Sequence, residues 1–207
     1  MHYHPFVLTL FYTGMRPSEA TALRWGDVDL AHGVITIVRS RYYGAENAPK
    51  TRGSERAVYL LPIVRQTLRC AMPLHAGADD YVFRNEVTGG PIDQGEWARE
   101  FWPRPLRALS IRPRKFYPTR HTFISVALTA GVNLKWLAEQ CGNSVATIEK
   151  HYGRFLARDA EAQLRLLASG GAGSEKPSTL STRLTVPAEK SFRNGVVPTG
   201  IEPVLPT

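Results

Sequence analysis

The order of apolar and polar positions along the chain predicts helices first, then a pair of strands, then mostly helices. The run from Pro5 to Tyr12 is apolar and indicates a core helix. β-Branched residues from Val34 to Val38 predict a strand, and the run 56–61 predicts a second strand that pairs with it. This order favours a mostly helical α+β domain with a small antiparallel sheet.

Capping residues and glycines give the expected bounds of the later helices. Each expected helix runs from a polar cap to its end: Ser18 to Arg24, Thr119 to Gly131, Asn133 to Gly142, and Ser144 to Gly153. The segment Tyr43 to Ser54 is rich in turn residues and predicts a loop or β-turn region between the two strands.

The amino-acid composition of the chain changes at Ser169. Beyond it the chain is rich in Gly, Ser, Thr and Pro and has no apolar period. Such a composition is typical of disorder, because too little apolar surface is available to offset the entropy of ordering. We therefore predict one folded domain over 1–168, ending in a helix of about 156–168, and a disordered tail over 169–207.

Charge and cysteine content narrow the function classes. The formal net charge is +8, and the segment 99–120 holds seven basic residues but one acid, Glu100. This segment suits contact with a phosphate backbone, although a solvated basic face would have the same composition. The isolated Cys70 and Cys141 form no zinc pattern and fit a reduced, cytoplasmic compartment. No apolar run approaches the ~20 residues that a membrane span needs.

Four blocks of sequence carry the candidate chemistry. They are T-G-M-R-P-S-E at 13–19, P-K-T-R at 49–52, Y-P-T-R-H-T-F at 117–123, and C-G-N-S at 141–144 with H-Y-G-R at 151–154. In this order and at these separations the blocks resemble those of the tyrosine recombinases, also called phage integrases. The resemblance covers about residues 8–168 and implies the catalytic-domain fold of that family.

The resemblance also implies a reaction, in which a tyrosine attacks a DNA phosphodiester without a metal ion or other cofactor. Tyr152 matches this nucleophile, which leaves a 3′-phosphotyrosine and a free 5′-hydroxyl. Arg16 and Arg120 match the arginines that bind the non-bridging oxygens, a task that suits planar guanidinium groups. Lys50 matches the general acid that protonates the leaving oxygen. Glu19, three residues after Arg16, is expected to hold that arginine in place.

Two candidate site residues depart from the family pattern. Tyr117 stands where the family usually has a histidine, and Asn143 stands where it often has another. Both side chains can donate a hydrogen bond to a phosphate oxygen, but neither carries the charge of an imidazolium near neutral pH. We therefore expect slower chemistry. His121 adjoins Arg120, and adjacent helical side chains point about 100° apart, so we interpret His121 as a buried or supporting residue.

The implied partner is double-stranded DNA, bound by a homotetramer if the chain is active, with no membrane and no small-molecule substrate. Members of the family usually carry a core-binding domain before the catalytic one. Because the first block begins at Thr13, the sequence predicts that this domain is absent. Two functions stay open: an active recombinase that cuts and rejoins DNA, and a catalytically impaired DNA-binding fragment of a mobile-element integrase. DNA relaxation of the type IB topoisomerase kind is a weaker third.

Overall fold

The first helix, α1, His4–Thr13, contains the apolar run predicted from the sequence. Phe6 and Leu10, about one turn apart, are fully buried on its inner face. Gly14 ends the helix in the left-handed conformation, with φ of 67°, which glycine adopts without a steric penalty. The chain therefore turns sharply after α1 and delivers Arg16 to the side of the domain that the later helices approach.

The computed structural model describes residues 2–42, 44–47, 55–156, 161, 164 and 167–168. Tertiary contacts separate a unit over Met1–Arg158 from a second over Asp159–Thr207. In the second unit only residues 161, 164, 167 and 168 are described, and all four are helical. Most of the helix predicted over 156–168, and all of the tail predicted over 169–207, therefore lie outside the described residues.

In the described part of the chain, five short antiparallel strands follow α1: β1, Val28–Asp29; β2, Val34–Ile37; β3, Ser40–Tyr42; β4, Ala45–Asn47; and β5, Arg56–Tyr59. One sheet has the order β1-β2-β5, and β3 and β4 form a separate two-stranded sheet. Ile35 pairs with Val58, and both are fully buried. Since alternate residues of a strand share a face, Arg56 lies on the same buried side of β5 as Val58.

The strands correct two expectations. The sequence predicted one small sheet with a loop or turn over 43–54, whereas β4 occupies part of that segment and the strands form two sheets. Ala45–Asn47 has no strand propensity of its own, but its register with β3 places Glu46 opposite Arg41. The Glu46 carboxylate accepts from Arg24 at 3.1 Å and from the hydroxyl of Tyr81, so contacts outside the hairpin stabilise β4. Residues 48–54, which include Lys50, lie outside the described part of the chain.

The remaining elements are helical. They are α2, Pro17–Ala20; α3, Pro62–Ala71; α4, Gln94–Glu100; α5, Pro103–Ala108; α6, Pro118–Thr129; α7, Leu134–Cys141; α8, Val145–Tyr152; and two 3-10 turns, Trp25–Asp27 and Gly153–Phe155. The predicted caps of α7 and α8 are confirmed. Asn133 accepts from the backbone N–H of Trp136 at 3.0 Å, and Ser144 accepts from that of Thr147 at 3.1 Å.

The predicted caps of α2 and α6 are wrong. These helices begin at Pro17 and Pro118, so that Arg16 and Tyr117 take the N-cap positions expected for Ser18 and Thr119. Proline favours the first helical position because its φ is already helical and its missing N–H has no partner there in any case. Helix α2 also ends at Ala20, well before the predicted end at Arg24.

Two buried clusters organise the first unit. One joins α1, the three-stranded sheet, α3 and α4 through side chains such as Leu10, Ile35 and Trp97. The other joins α6, α7 and α8 and includes Ile124 and Tyr152. Helix α6 packs on α1, and α7 packs on β5. The predicted mostly helical α+β class is confirmed, and these packings bring the separate sequence blocks to one place.

Candidate functional site

The predicted site residues lie where α1, α6 and the α7–α8 turn approach one another. Arg16 follows α1, Arg120 lies in the first turn of α6, Asn143 lies in the turn between α7 and α8, and Tyr152 ends α8. Each is placed by a local boundary, because glycine, proline or a polar cap ends or begins the adjoining helix. With Tyr117 at the start of α6, the structure places five of the six predicted site residues.

Arg16 connects the first sequence block to the last. Its Nη1 donates to Glu19 Oε1 at 3.0 Å, and its Nη2 donates to the carbonyl of Gly142 at 2.8 Å and to Asn143 Oδ1 at 3.2 Å. The side chain is 37% exposed. Three acceptors therefore fix the guanidinium plane while part of the group faces solvent. Because Asn143 accepts through its oxygen, its amide nitrogen keeps its N–H groups for another acceptor.

Glu19 is the buried acid that holds this cationic group together. Its Oε2 accepts from the backbone N–H of Arg16 at 2.8 Å, and its two oxygens accept from Arg56 Nη1 and Nη2 at 2.9 and 2.7 Å. Burial alone would raise the pKa of Glu19, but the hydrogen bonds and charges of Arg56 and Arg16 outweigh it, so the pKa lies below its usual value. The expectation that Glu19 positions Arg16 is confirmed.

Arg56 was not singled out from the sequence, where it only stood near the predicted lysine loop. Its forked pairing with Glu19 is bidentate, and its Nε donates to the carbonyl of Gln140 at 3.2 Å. Strand alternation is the signal that would have found it, because Arg56 shares the buried face of Val58. Arg56 is therefore a positioning residue that ties β5 to the end of α7.

Arg120 is the most deeply buried cation of the site, at 2% exposure. Its Nη1 donates to the carbonyl of Gly14 at 2.5 Å, while its Nη2 is buried with no hydrogen-bond partner among the described residues. Desolvation lowers the pKa of Arg120, and the charge of Arg16 adds to this effect. A buried donor without an acceptor costs about 1–3 kcal/mol. An anionic oxygen that reached Nη2 would remove that cost.

Tyr152 is 7% exposed, and its hydroxyl forms a hydrogen bond with Nδ1 of His121. The two rings have centroids 5.5 Å apart and planes inclined at 34°. Burial raises the pKa of Tyr152 to about 12, and the charge of Arg120 opposes this rise. The ring of Tyr117 meets that of His121 edge-on at 5.5 Å and is 47% exposed.

Of the two expectations for His121, a buried residue or a supporting one, the structure contradicts the first. The residue is exposed and contacts the phenolic oxygen of Tyr152 directly. The angle between neighbouring helical side chains only shows that His121 and Arg120 point in different directions. Tyr152 comes from another helix, α8, and its hydroxyl is met by His121 while the charge of Arg120 also acts on it. The local rule could not reveal this contact.

Gly14 provides a test of how tightly the site is packed. A Cβ at this position would clash with the ring of Phe123 and lie 3.1 Å from Cys141 Sγ, at a φ of 67°. We expect Gly14→Ala to lower the free energy of unfolding by roughly 2–5 kcal/mol, from left-handed strain and overpacking together. Gly131→Ala is the matched control, because its φ is 78° and no atom of the described residues lies within 4 Å of the added Cβ. It should cost only about 1–2 kcal/mol; equal losses in urea denaturation would contradict the packing argument.

Most basic side chains of the segment 99–120, which was predicted to contact phosphates, lie on the surface of the domain. Six of its basic residues are exposed, and only Arg120 is buried; the six are Arg99, Arg104, Arg107, Arg112, Arg114 and Lys115. Within the part of the chain that the structure describes, no helix is long and apolar enough to cross a membrane. Among the same residues, no cluster of His, Cys, Asp and Glu has the makings of a metal site.

Comparisons of this chain with protein families and with individual proteins agree on one family. Residues 1–157 match the phage integrase family. The protein IntQ of Escherichia coli (strain K12), which carries the word defective in its name, is 30% identical over 182 residues, covering 75% of this chain and 46% of that protein. Prophage integrase IntR of the same strain is 28% identical over 180 residues, covering 75% of this chain and 44% of that one. The chain thus spans less than half the length of these relatives.

Solved structures share the fold. The integrase of the Tn1549 transposon, in complex with a circular intermediate DNA, aligns with a TM-score of 0.63 and 20% identity, covering 82% of this chain and 58% of that one. The catalytic domain of bacteriophage HP1 integrase aligns with a TM-score of 0.54 and 19% identity, covering 82% of this chain and 84% of that one. The fold expected from the motif resemblance is confirmed.

Proposed function

This chain belongs to the phage integrase family, and on that basis we propose that it cuts and rejoins double-stranded DNA at specific sites through a 3′-phosphotyrosine intermediate. In this reaction the Tyr152 oxygen attacks a backbone phosphorus, the bond to the 5′-oxygen breaks, and a DNA strand stays joined to the enzyme. A second strand's 5′-hydroxyl then reverses the step. Two reversible transfers of similar energy replace one difficult hydrolysis.

The observation that carries this proposal is the buried Nη2 of Arg120, which has no hydrogen-bond partner among the residues that the structure describes. A folded domain rarely leaves a guanidinium nitrogen without an acceptor, and a non-bridging phosphate oxygen is an acceptor of the right charge. The charges of Arg16 and Arg120 act on each other, and that of Arg120 acts on Tyr152. In the proposed complex a phosphate would lie between the two cations and the nucleophile.

The other predicted residues take supporting roles in this proposal. The amide N–H of Asn143 and the hydroxyl of Tyr117 would donate to phosphate oxygens as negative charge grows on them. Each such donor supplies less than the ~2.7–4 kcal/mol lost when a preorganised donor is removed outright. Lys50 would protonate the leaving 5′-oxygen, and this role rests on the motif resemblance alone because its segment lies outside the described residues. A DNA-bound homotetramer is the assembly that the resemblance implies.

The test is covalent capture of DNA by the full chain. A library of nicked duplexes with randomised sequence traps the intermediate, since the short strand that leaves diffuses away and blocks religation. We expect an adduct that survives denaturation in SDS and that is lost in Tyr152→Phe, because phenylalanine lacks the attacking oxygen. Sequencing the captured strand would define the cleavage site. Circular dichroism of both proteins and a salt titration of DNA binding serve as controls for folding and for affinity.

A second candidate function is DNA binding without efficient cleavage. It is favoured by Tyr117 and Asn143, which stand where the family usually or often has a histidine. If the folded chain binds DNA in a salt-dependent way but neither forms an adduct nor relaxes a supercoiled plasmid, the chain is a catalytically impaired DNA-binding domain. The six exposed basic residues of 99–120 would then be its working surface. An adduct that persists in Tyr152→Phe would contradict both functions as stated.

A further inference from the structure

His121 and Tyr152 form a pair that the proposed reaction has not yet used. The Nδ1 atom of His121 is in hydrogen-bond contact with the hydroxyl of Tyr152, the atom that would attack phosphorus. His121 is exposed, whereas its neighbour Arg120 is buried and donates to the carbonyl of Gly14. The phenol therefore has an imidazole hydrogen-bonded to its oxygen, and the charge of Arg120 also acts on it.

We propose that His121 is a catalytic residue that accepts the phenolic proton of Tyr152 as this oxygen attacks phosphorus. The inference rests on the proposed function. In the step, the bond from the Tyr152 oxygen to phosphorus forms, the bond from phosphorus to the 5′-oxygen breaks, and the phenolic proton moves to Nδ1. The 5′-oxygen takes its proton from the general acid proposed at Lys50. In the reverse step the imidazolium returns its proton to the tyrosine.

The need for an acceptor follows from the burial of Tyr152. With a pKa of about 12, this phenol keeps its proton at neutral pH and is a poor nucleophile until the proton is removed. A base within hydrogen-bond distance can take the proton during the attack, so no free tyrosinate has to form. Among the described residues, His121 is the side chain that the hydroxyl contacts.

The electrostatic surroundings keep His121 ready to accept. Partial desolvation lowers the pKa of its imidazole, and the charges of Arg120 on α6 and His151 on α8 lower it further. Tyr117 and Tyr152 supply the remaining titratable groups in ring contact with it. A lowered pKa leaves the ring neutral at neutral pH, with Nδ1 able to accept when the proton sits on Nε2. Below that pKa the imidazolium has no lone pair for the phenol.

The first experiment uses the unliganded full chain and needs no DNA. In NMR spectra of the 15N-histidine-labelled protein, we expect His121 to hold its proton on Nε2, to titrate below an ordinary histidine, and to change its Nδ1 shift in Tyr152→Phe. His151→Asn, which removes an exposed neighbouring imidazole, should leave the His121 tautomer unchanged. A His121 with its proton on Nδ1, or one insensitive to Tyr152→Phe, would overturn the inference.

The second experiment measures single-turnover adduct formation on a nicked duplex captured from the library. His121→Asn keeps an acceptor oxygen near the place of Nδ1 but cannot take up a proton, and His121→Ala removes both. Both should slow the reaction by ~10²–10⁴, and their rates should keep rising at alkaline pH, where the wild type has reached a plateau. His75→Asn, which removes an exposed imidazole outside the site, should cleave at the wild-type rate.

A 5′-bridging sulfur separates the two ends of the reaction, because a thiolate leaves without a proton. Sulfur should restore the rate of Lys50→Ala but leave His121→Asn slow. If sulfur restores His121→Asn, His121 serves the leaving group and the inference is wrong. If the wild type forms an adduct and His121→Asn matches it, the inference fails while the proposed function stands. If the wild type forms no adduct on the library, the proposed function fails and takes this inference with it.

Discussion

Arg120→Met should abolish DNA cleavage and leave the domain as stable as the wild type or more so. The rate should fall by ~10³–10⁵, because a cation aimed at a transferring phosphoryl group supplies about that factor. Stability should not fall, because the unliganded fold buries this charge with Nη2 unpartnered among the described residues. Exchange of buried ionic groups for apolar side chains of similar size often gains about 1–4 kcal/mol. That gain offsets the hydrogen bond to Gly14, worth about 1.5–3 kcal/mol because its donor is charged.

Urea denaturation measures the expected change in stability, and single-turnover adduct formation measures the expected loss of cleavage rate. Arg120→Lys is the informative companion, because it keeps the charge but loses the flat, forked donor set. It should recover part of the activity without the gain in stability. If Arg120→Met instead unfolds several kcal/mol more easily than the wild type, Arg120 is chiefly a structural residue, and the argument from its unpartnered nitrogen fails.

Glu19→Ala should be among the most destabilising single changes in this domain. Glu19 is 6% exposed and neutralises both Arg16 and Arg56. Its removal leaves two cations close together with no shared acid, and breaking a buried pair in this way costs about 3–5 kcal/mol. Glu19→Gln keeps the shape and one acceptor oxygen, so it should cost less. Both variants should also lower the cleavage rate, since Arg16 loses the group that orients it.

Asp79→Asn is the matched control for Glu19, because it also removes an acid from an arginine pair. Asp79 lies 3.1 Å from Arg24, but its side chain is 96% exposed. Exposed ion pairs contribute about 0–1 kcal/mol, so this variant should unfold almost as the wild type does. A loss at Asp79 as large as the loss at Glu19 would contradict the view that burial decides the difference.

The ion pairs of Glu19 with Arg16 and Arg56 predict that the stability of the domain depends on pH. The pKa of Glu19 is lowered in the folded state from its ordinary value of 4.5, so the unfolded chain binds the proton more readily. The stability that ionised Glu19 contributes is therefore complete above pH 4.5 and is lost as the pH falls through the lower folded-state pKa. In urea denaturation at a series of pH values, the gap between the wild type and Glu19→Gln should narrow only below 4.5. If the difference in unfolding free energy between the two proteins stays constant with pH, the charge of Glu19 is not the source of that difference.

Local signals in the sequence were sufficient to predict where α7 and α8, the two helices that lead to Tyr152, begin. Helices α7 and α8 have the predicted caps, Asn133 and Ser144, because capping involves residues three positions apart. The motif spacing also selected Arg16, Arg120 and Tyr152. In the folded domain the charge of Arg120 acts on both of the other groups.

Features that depend on a distant partner were missed. Strand β4 forms because β3 lies beside it, which the polar residues Ala45–Asn47 do not reveal on their own. Arg56 and His121 take their places through contacts with Glu19 and Tyr152, on other elements. A period of 2.0 or 3.6 residues fixes the face that a side chain occupies, but the neighbour on that face is fixed by packing.

The hydrogen bond from Arg16 to the Gly142 carbonyl spans 126 residues and has a consequence for protein synthesis. A ribosome adds about 5–20 residues per second, so Arg16 and Glu19 emerge several seconds before Gly142, Asn143 and Tyr152. During that interval the arginine lacks two of its acceptors, and the proposed nucleophile has not yet been synthesised. A nascent chain of this sequence therefore holds no assembled cutting site, and any capacity to break DNA would arise only after the last of the three helices has docked.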